Sequence, residues 1–99
     1  MDTGHRLEAF VYLELRRRGY EVSIGVIDQL EVDFVAVLDG VTTYYQVSAT
    51  VQDEATYHRE IKSLKLIRDH YRKILLTMDT GRFNDEGIEQ INLIEWLLK

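Results

Sequence analysis

The sequence predicts an α/β domain in the order αβββαββα, a mixed sheet with helices on both faces. Three observations lead there. Apolar residues recur at helical spacing near both ends and between residues 53 and 70, whereas between them they alternate or run as short apolar blocks. Asp39-Gly40 is a two-residue hairpin signal between two such blocks. The amphipathic stretch that follows is long enough to return the chain to the sheet as a parallel strand.

The first helix spans residues 5–18, with Leu7, Phe10, Val11 and Leu15 on one face. Arg16-Arg17-Arg18 places positive charge at its end, where the macrodipole favours it, and Gly19 fits the residue after a helix terminus. Residues 20–26 alternate as a strand does, and Asp28-Gln29 supplies a turn. Residues 31–38 are apolar on both faces apart from their acids, which places this strand inside a sheet. The returning strand covers residues 42–49. Asp53 caps a second helix that carries Tyr57, Ile61, Leu64 and Ile67 on one stripe and runs to about residue 70. Ile74–Met78 reads as a short buried strand and residues 79–87 as a polar loop. A last strand, Ile88–Asn92, precedes the closing helix.

Ninety-nine residues make one domain, expected over 1–99, and 45% hydrophobic content is enough for a core. With no cysteine, a disulfide framework, a thiolate zinc site and a cysteine nucleophile are all excluded. A formal charge of −5 argues against a binder that neutralises phosphates with excess Lys and Arg. No signal peptide or apolar run of membrane-spanning length is present, so a cytoplasmic location without membrane contact is expected. The helical pattern beginning and ending almost at the termini suggests a domain trimmed from a longer chain.

Three acids sit where acids are costly. Glu8 falls beside Val11 and Leu15 on the helical wheel, Glu14 falls between Leu7 and Phe10, and Asp33 lies within an apolar strand on the pleat face of Val35 and Val37. A buried carboxylate needs a cation, several donors or a metal. In the next strand Tyr44, Gln46 and Ser48 make one polar face, and pairing through Asp39-Gly40 sets Gln46 near Asp33. Glu14 and Arg18, four apart, can also pair simply as surface support. His5, His58 and His70 lack ligand spacing and read as ordinary residues. Arg59, Lys62, Lys65 and Arg68 form a basic stripe on the second helix, a weak nucleic-acid candidate against the plainer reading of a solvated face.

Gly4-x-x-x-Glu8, Gly19-Tyr20, Asp33-Phe34 and the polar-x-polar triplet of the third strand together resemble the PD-(D/E)xK nuclease superfamily, with a layout similar to archaeal Holliday-junction resolvases. The resemblance implies a restriction-endonuclease-like core, in which active members hold Mg²⁺ on a helix glutamate, a strand aspartate and a carboxylate of the next strand, beside a lysine. Carried over, Glu8 and Asp33 match the first two acids and are the metal candidates. Gln46 stands at the third acid position and Ser48 at the lysine position. Those two replacements remove a ligand charge and the cation beside the water, so the degenerate pocket Glu8, Asp33, Gln46 and Ser48 is expected to be non-catalytic, with no cofactor.

A second resemblance covers nearly the whole chain. Leu7-Glu8, Val11–Leu15, Arg18–Val22, Glu31–Ala36, Tyr45-Gln46-Val47, Arg59-Glu60 and Ile91–Leu98 are similar to the C-terminal domain, of unknown function, of a prokaryotic family of AAA-type ATPases. It implies that the domain is an accessory module and that its partner is an upstream ATPase module of the same chain. No GxxxxGK[ST] loop occurs here. Two alternatives stand beside this one. One is an active Mg²⁺-dependent nuclease with Glu8, Asp33 and Gln46 as ligands and Lys62 or Lys65 as a displaced lysine. The other is a plain protein-interaction domain.

Overall fold

A computed structural model describes residues 3–99. Its elements are α1 (Thr3–Arg17), β1 (Glu21–Ile27), β2 (Leu30–Leu38), β3 (Val41–Val47), α2 (Glu54–Leu66), β4 (Arg72–Thr77), β5 (Phe83–Asp85), β6 (Ile88–Asn92) and α3 (Leu93–Leu97). The six strands form one mixed sheet in the order β1-β2-β3-β4-β6-β5. β1, β2 and β3 are an antiparallel meander, and β4 joins β3 in parallel after the α2 crossover. β6 is parallel to β4, and β5 is antiparallel to β6.

Helices cover both faces. α1 and α3 bury Val11, Leu15, Leu93 and Trp96 against Ala36, Tyr45, Val47, Ile74, Leu76 and Ile91. On the opposite face α2 buries Ile61 and Leu64 against Val32, Leu75 and Ile88. Strands β3 and β4 therefore feed both cores by simple alternation, as a central pair must. Among the described residues no helix is long and apolar enough to cross a membrane.

Local signals explain most boundaries. Gly19, at φ +94°, lets α1 end with Tyr20 N–H donating to Leu15 O and Gly19 N–H to Arg16 O, which satisfies two terminal carbonyls. The Asp28-Gln29, Asp39-Gly40 and Glu86-Gly87 pairs all have positive φ at both residues and close two-residue hairpins. The Asp53 carboxylate caps α2 by accepting from Thr56 N–H at 3.1 Å.

Several boundaries differ from those the sequence predicts; α1 begins at Thr3 and β4 at Arg72, each two residues early. The stretch 79–87 is not a loop throughout, because Phe83–Asp85 pairs with β6 as a third strand after α2, making the order αβββαβββα. Its brevity and polar composition conceal it, and the pairing is set by the Glu86-Gly87 turn. α2 stops at Leu66 rather than near residue 70: Ile67 is already extended (φ −76°, ψ 125°), yet it still packs with the α2 core, so the apolar stripe outlasts the helix. β3 ends at Val47 rather than at residue 49. Ser48 N–H still donates to Leu76 O and Met78 N–H to Ala49 O, so the chain runs on beside β4 past the last ladder pair.

Candidate functional site

The site begins with an irregularity in β2. Ser23 pairs with Val35 but Gly25 pairs with Val32, so β2 spends one extra residue opposite β1. This bulge reverses the alternation at Asp33: Val32 packs on the α2 side, whereas Phe34 and Ala36 belong to the α1 side. Asp33 does not share a regular pleat face with Val35 and Val37, as uninterrupted alternation would have it. Gly25 completes the arrangement, since a Cβ there would lie 2.8 Å from Val35 Cγ2.

The β2–β3 ladder runs from Leu38↔Val41 to Phe34↔Tyr45 and then opens. Side chains take over beyond that point. Gln46 Oε1 accepts from Asp33 N–H at 2.6 Å, and Asp33 Oδ2 accepts from Val47 N–H at 2.9 Å. Gln46 Nε2 donates to Glu60 O of α2 at 3.1 Å. Both polar ends of this buried amide are thus engaged with backbone groups. Gln46 acts as a clamp between β2, β3 and α2.

A cleft of about 400 Å³ opens where this clamp meets the N-terminal end of α1 and the flank of α2. Glu8, Asp33, Gln46, Ser48, Arg59 and Glu60 line it. Glu8, Asp33, Gln46 and Ser48 therefore share one cavity. Burial pushes the Asp33 carboxyl up to about 7 against the opposing pull of Val47 N–H, and the neighbouring Glu8 carboxyl, in hydrogen-bond contact, pushes it further the same way. Burial also raises Glu60, helped by the charge of Asp33 and opposed by Arg59. Arg59 Nε stands 3.9 Å from Glu60 Oε2, with its side chain largely in solvent.

Ser48 does not replace a lysine in any electrostatic sense: its hydroxyl donates to Thr50 O at 3.0 Å. Lys62 and Lys65 do not line the cleft. Lys62 is exposed, and Lys65 Nζ lies 3.6 Å from Asp85 Oδ2 on β5. The basic stripe is only partly helical, because Arg59, Lys62 and Lys65 lie on α2 and Arg68 falls beyond its end. Among the described residues no group of three or more His, Cys, Asp or Glu gathers closely enough to hold a metal ion.

Glu14 has a different fate from Glu8 and Asp33. Arg17 and Arg18 both donate to it, at 2.7 Å each for the closest contacts, and these bonds pull its carboxyl down to about 2. The Arg18 guanidinium lies 4.4 Å from the Trp96 ring centroid and donates to Trp96 O at 3.0 Å. Glu14 therefore belongs to a joint between α1 and α3, which is more than the surface support its spacing implies.

No family model matches the chain, and no solved structure matches it. The chain is similar to a protein of Haemophilus influenzae described as uncharacterized, 37% identical over 100 residues. The similarity takes in 97% of this chain and 24% of that protein, so the chain spans about a quarter of the length of the curated relative it matches.

Glu60 is the member of the site that sequence reasoning misses. It sits among charged residues of an amphipathic helix and reads as solvated. No local signal finds it: Glu60 and Thr56, one turn earlier, line the cleft from the same flank of α2 because α2 packs on β3.

Proposed function

We propose that this domain is a restriction-endonuclease-like module that has lost cleavage and serves as an accessory binding domain of a longer, AAA-type ATPase chain. The observation that carries this reading is the engagement of Gln46: its amide bonds Asp33 N–H and Glu60 O, so the position of the third metal ligand has become part of the fold. Ser48, at the lysine position, is turned to Thr50 O. The donor set does not fit Mg²⁺. A hard dication wants several ionised oxygens around it, whereas burial raises the Asp33 carboxyl to about 7. The arrangement of helix acid, strand acid and polar third strand in one cleft supports descent from a nuclease site. The length of the Haemophilus influenzae relative, about four times the matched portion, leaves room for an ATPase module in such a chain.

Glu60 favours a second reading, an active Mg²⁺-dependent nuclease, because it adds a third carboxyl within electrostatic reach of Asp33. One experiment separates the two. The protein is incubated with supercoiled DNA and with RNA in millimolar Mg²⁺ or Mn²⁺, and metal binding is followed by calorimetry. The accessory-domain reading expects neither nicking nor heat. Cleavage that disappears in Asp33→Asn would establish the enzyme instead.

A further inference from the structure

The two edges of the sheet are built differently. β5 is three residues long and ends on Asp85, the short and charged kind of edge that discourages another strand from pairing. β1 is seven residues long, Glu-Val-Ser-Ile-Gly-Val-Ile, with one charge at its first position and no lysine or proline. Ile24 and Val26 on this edge are 66% and 65% exposed. Neighbouring α1 adds Leu13, also 66% exposed, and Tyr12; with Ile24 and Phe34 they line a groove of about 530 Å³ beside the unpaired edge. Contiguous exposed apolar surface of this kind marks an interaction site, whereas isolated apolar residues do not.

The charge around the groove selects the occupant. Glu31 and the Glu8–Asp33 pair line its other end. A second copy of this chain would bring together two domains that each carry a net charge of −5, with acids lining both grooves. Nucleic acid is disfavoured by the same acids and by the apolar floor. We infer that β1 and this groove receive an extended segment of a partner protein, added to the sheet as a further strand. Its aliphatic side chains lie over Leu13 and Ile24, and a Lys or Arg reaches Glu31 and Glu8. Main-chain bonds to the open edge provide affinity, and the groove provides side-chain selection. The inference rests on the sheet edge and stands whether or not the cleft cleaves nucleic acid.

The test uses the full 99-residue chain and two synthetic peptides, one alternating Ile with Lys and one alternating Ile with Glu. Amide exchange and backbone NMR shifts are read across the protein. The Lys peptide is expected to bind and to slow exchange along Glu21–Ile27, while the Glu peptide leaves these amides unchanged. Ile24→Lys and Leu13→Lys change exposed positions and so spare the fold; each is expected to weaken binding at least about tenfold, with the fold checked by circular dichroism. Absence of binding at millimolar peptide, binding that both variants leave intact, or protection confined to other strands would each overturn the inference. So would dimerisation of the free protein that Ile24→Lys abolishes, since the groove would then belong to a second copy.

Discussion

Asp33→Asn is expected to stabilise this domain at alkaline pH, against the usual outcome of altering a buried polar residue. Asp33 ionises near 3.8 in the unfolded chain and about 7 in the fold, chiefly because it is buried and then because Glu8 lies beside it. Between those values the native state holds a proton that the unfolded state has released. Stability therefore falls as pH rises from about 4 to 7, and the penalty is complete above that window. At ~1.4 kcal/mol per pKa unit the full displacement corresponds to about 4 kcal/mol. Asp33 is only partly buried, so solvent screening leaves about 1–3 kcal/mol for it. The Asn carboxamide oxygen can still accept from Val47 N–H, and its NH₂ can donate to the Glu8 carboxylate. Thermal and urea melts of the two proteins at pH 5 and pH 8 provide the assay. The gap should be smaller at pH 5, where only about a third of the penalty has developed, and the Asn variant should melt higher at pH 8, at about 4–8 °C per kcal/mol for a domain of this size. If Asp33→Asn instead unfolds more easily at pH 8, the Asp33 charge is being held by a cation and the argument from burial fails.

Other expectations follow from the same geometry. Gln46→Ala leaves Asp33 N–H and Glu60 O without their partner and should cost about 1–3 kcal/mol in urea melts, with no metal needed to reveal it. Gly25→Ala should cost about 1–3 kcal/mol through its contact with Val35, and Val35→Ala in the same chain should recover part of that loss in a double-mutant cycle. On the acid side, the bonds from Arg17 and Arg18 lower Glu14, so the stability it contributes is present above pH 4.5 and is lost as pH falls toward about 2. Glu14→Gln should accordingly move acid unfolding to higher pH, read by tryptophan fluorescence of Trp96.

Much of this architecture is legible in the sequence because it depends on local rules. Helical spacing of Val11 and Leu15, the glycine after α1 and the Asp39-Gly40 hairpin each specify their own element, and the register that follows brings Gln46 beside Asp33. What is not legible depends on partners distant in sequence. The bulge at Asp33 arises from how Ser23 and Gly25 meet β2, and it re-aims a carboxylate that simple alternation would place on a regular face. Phe83-Asn84-Asp85 becomes a strand only because β6 is there to pair with it. Ile67 satisfies the helical stripe and the α2 core equally well, so its pattern does not reveal the turn that ends α2. Glu60 enters the site through the packing of α2 on β3, which no run of neighbouring residues encodes.

Under the proposed reading, a nuclease-like pair of acids has become a protonated structural contact. Its most direct test is the Asp33 carboxyl titration by carbon-13 NMR, with and without millimolar Mg²⁺. The account predicts a midpoint near 7 that Mg²⁺ does not move. A midpoint at or below about 4, or one that Mg²⁺ drives sharply down, would show an ionised carboxylate holding a cation and would contradict it.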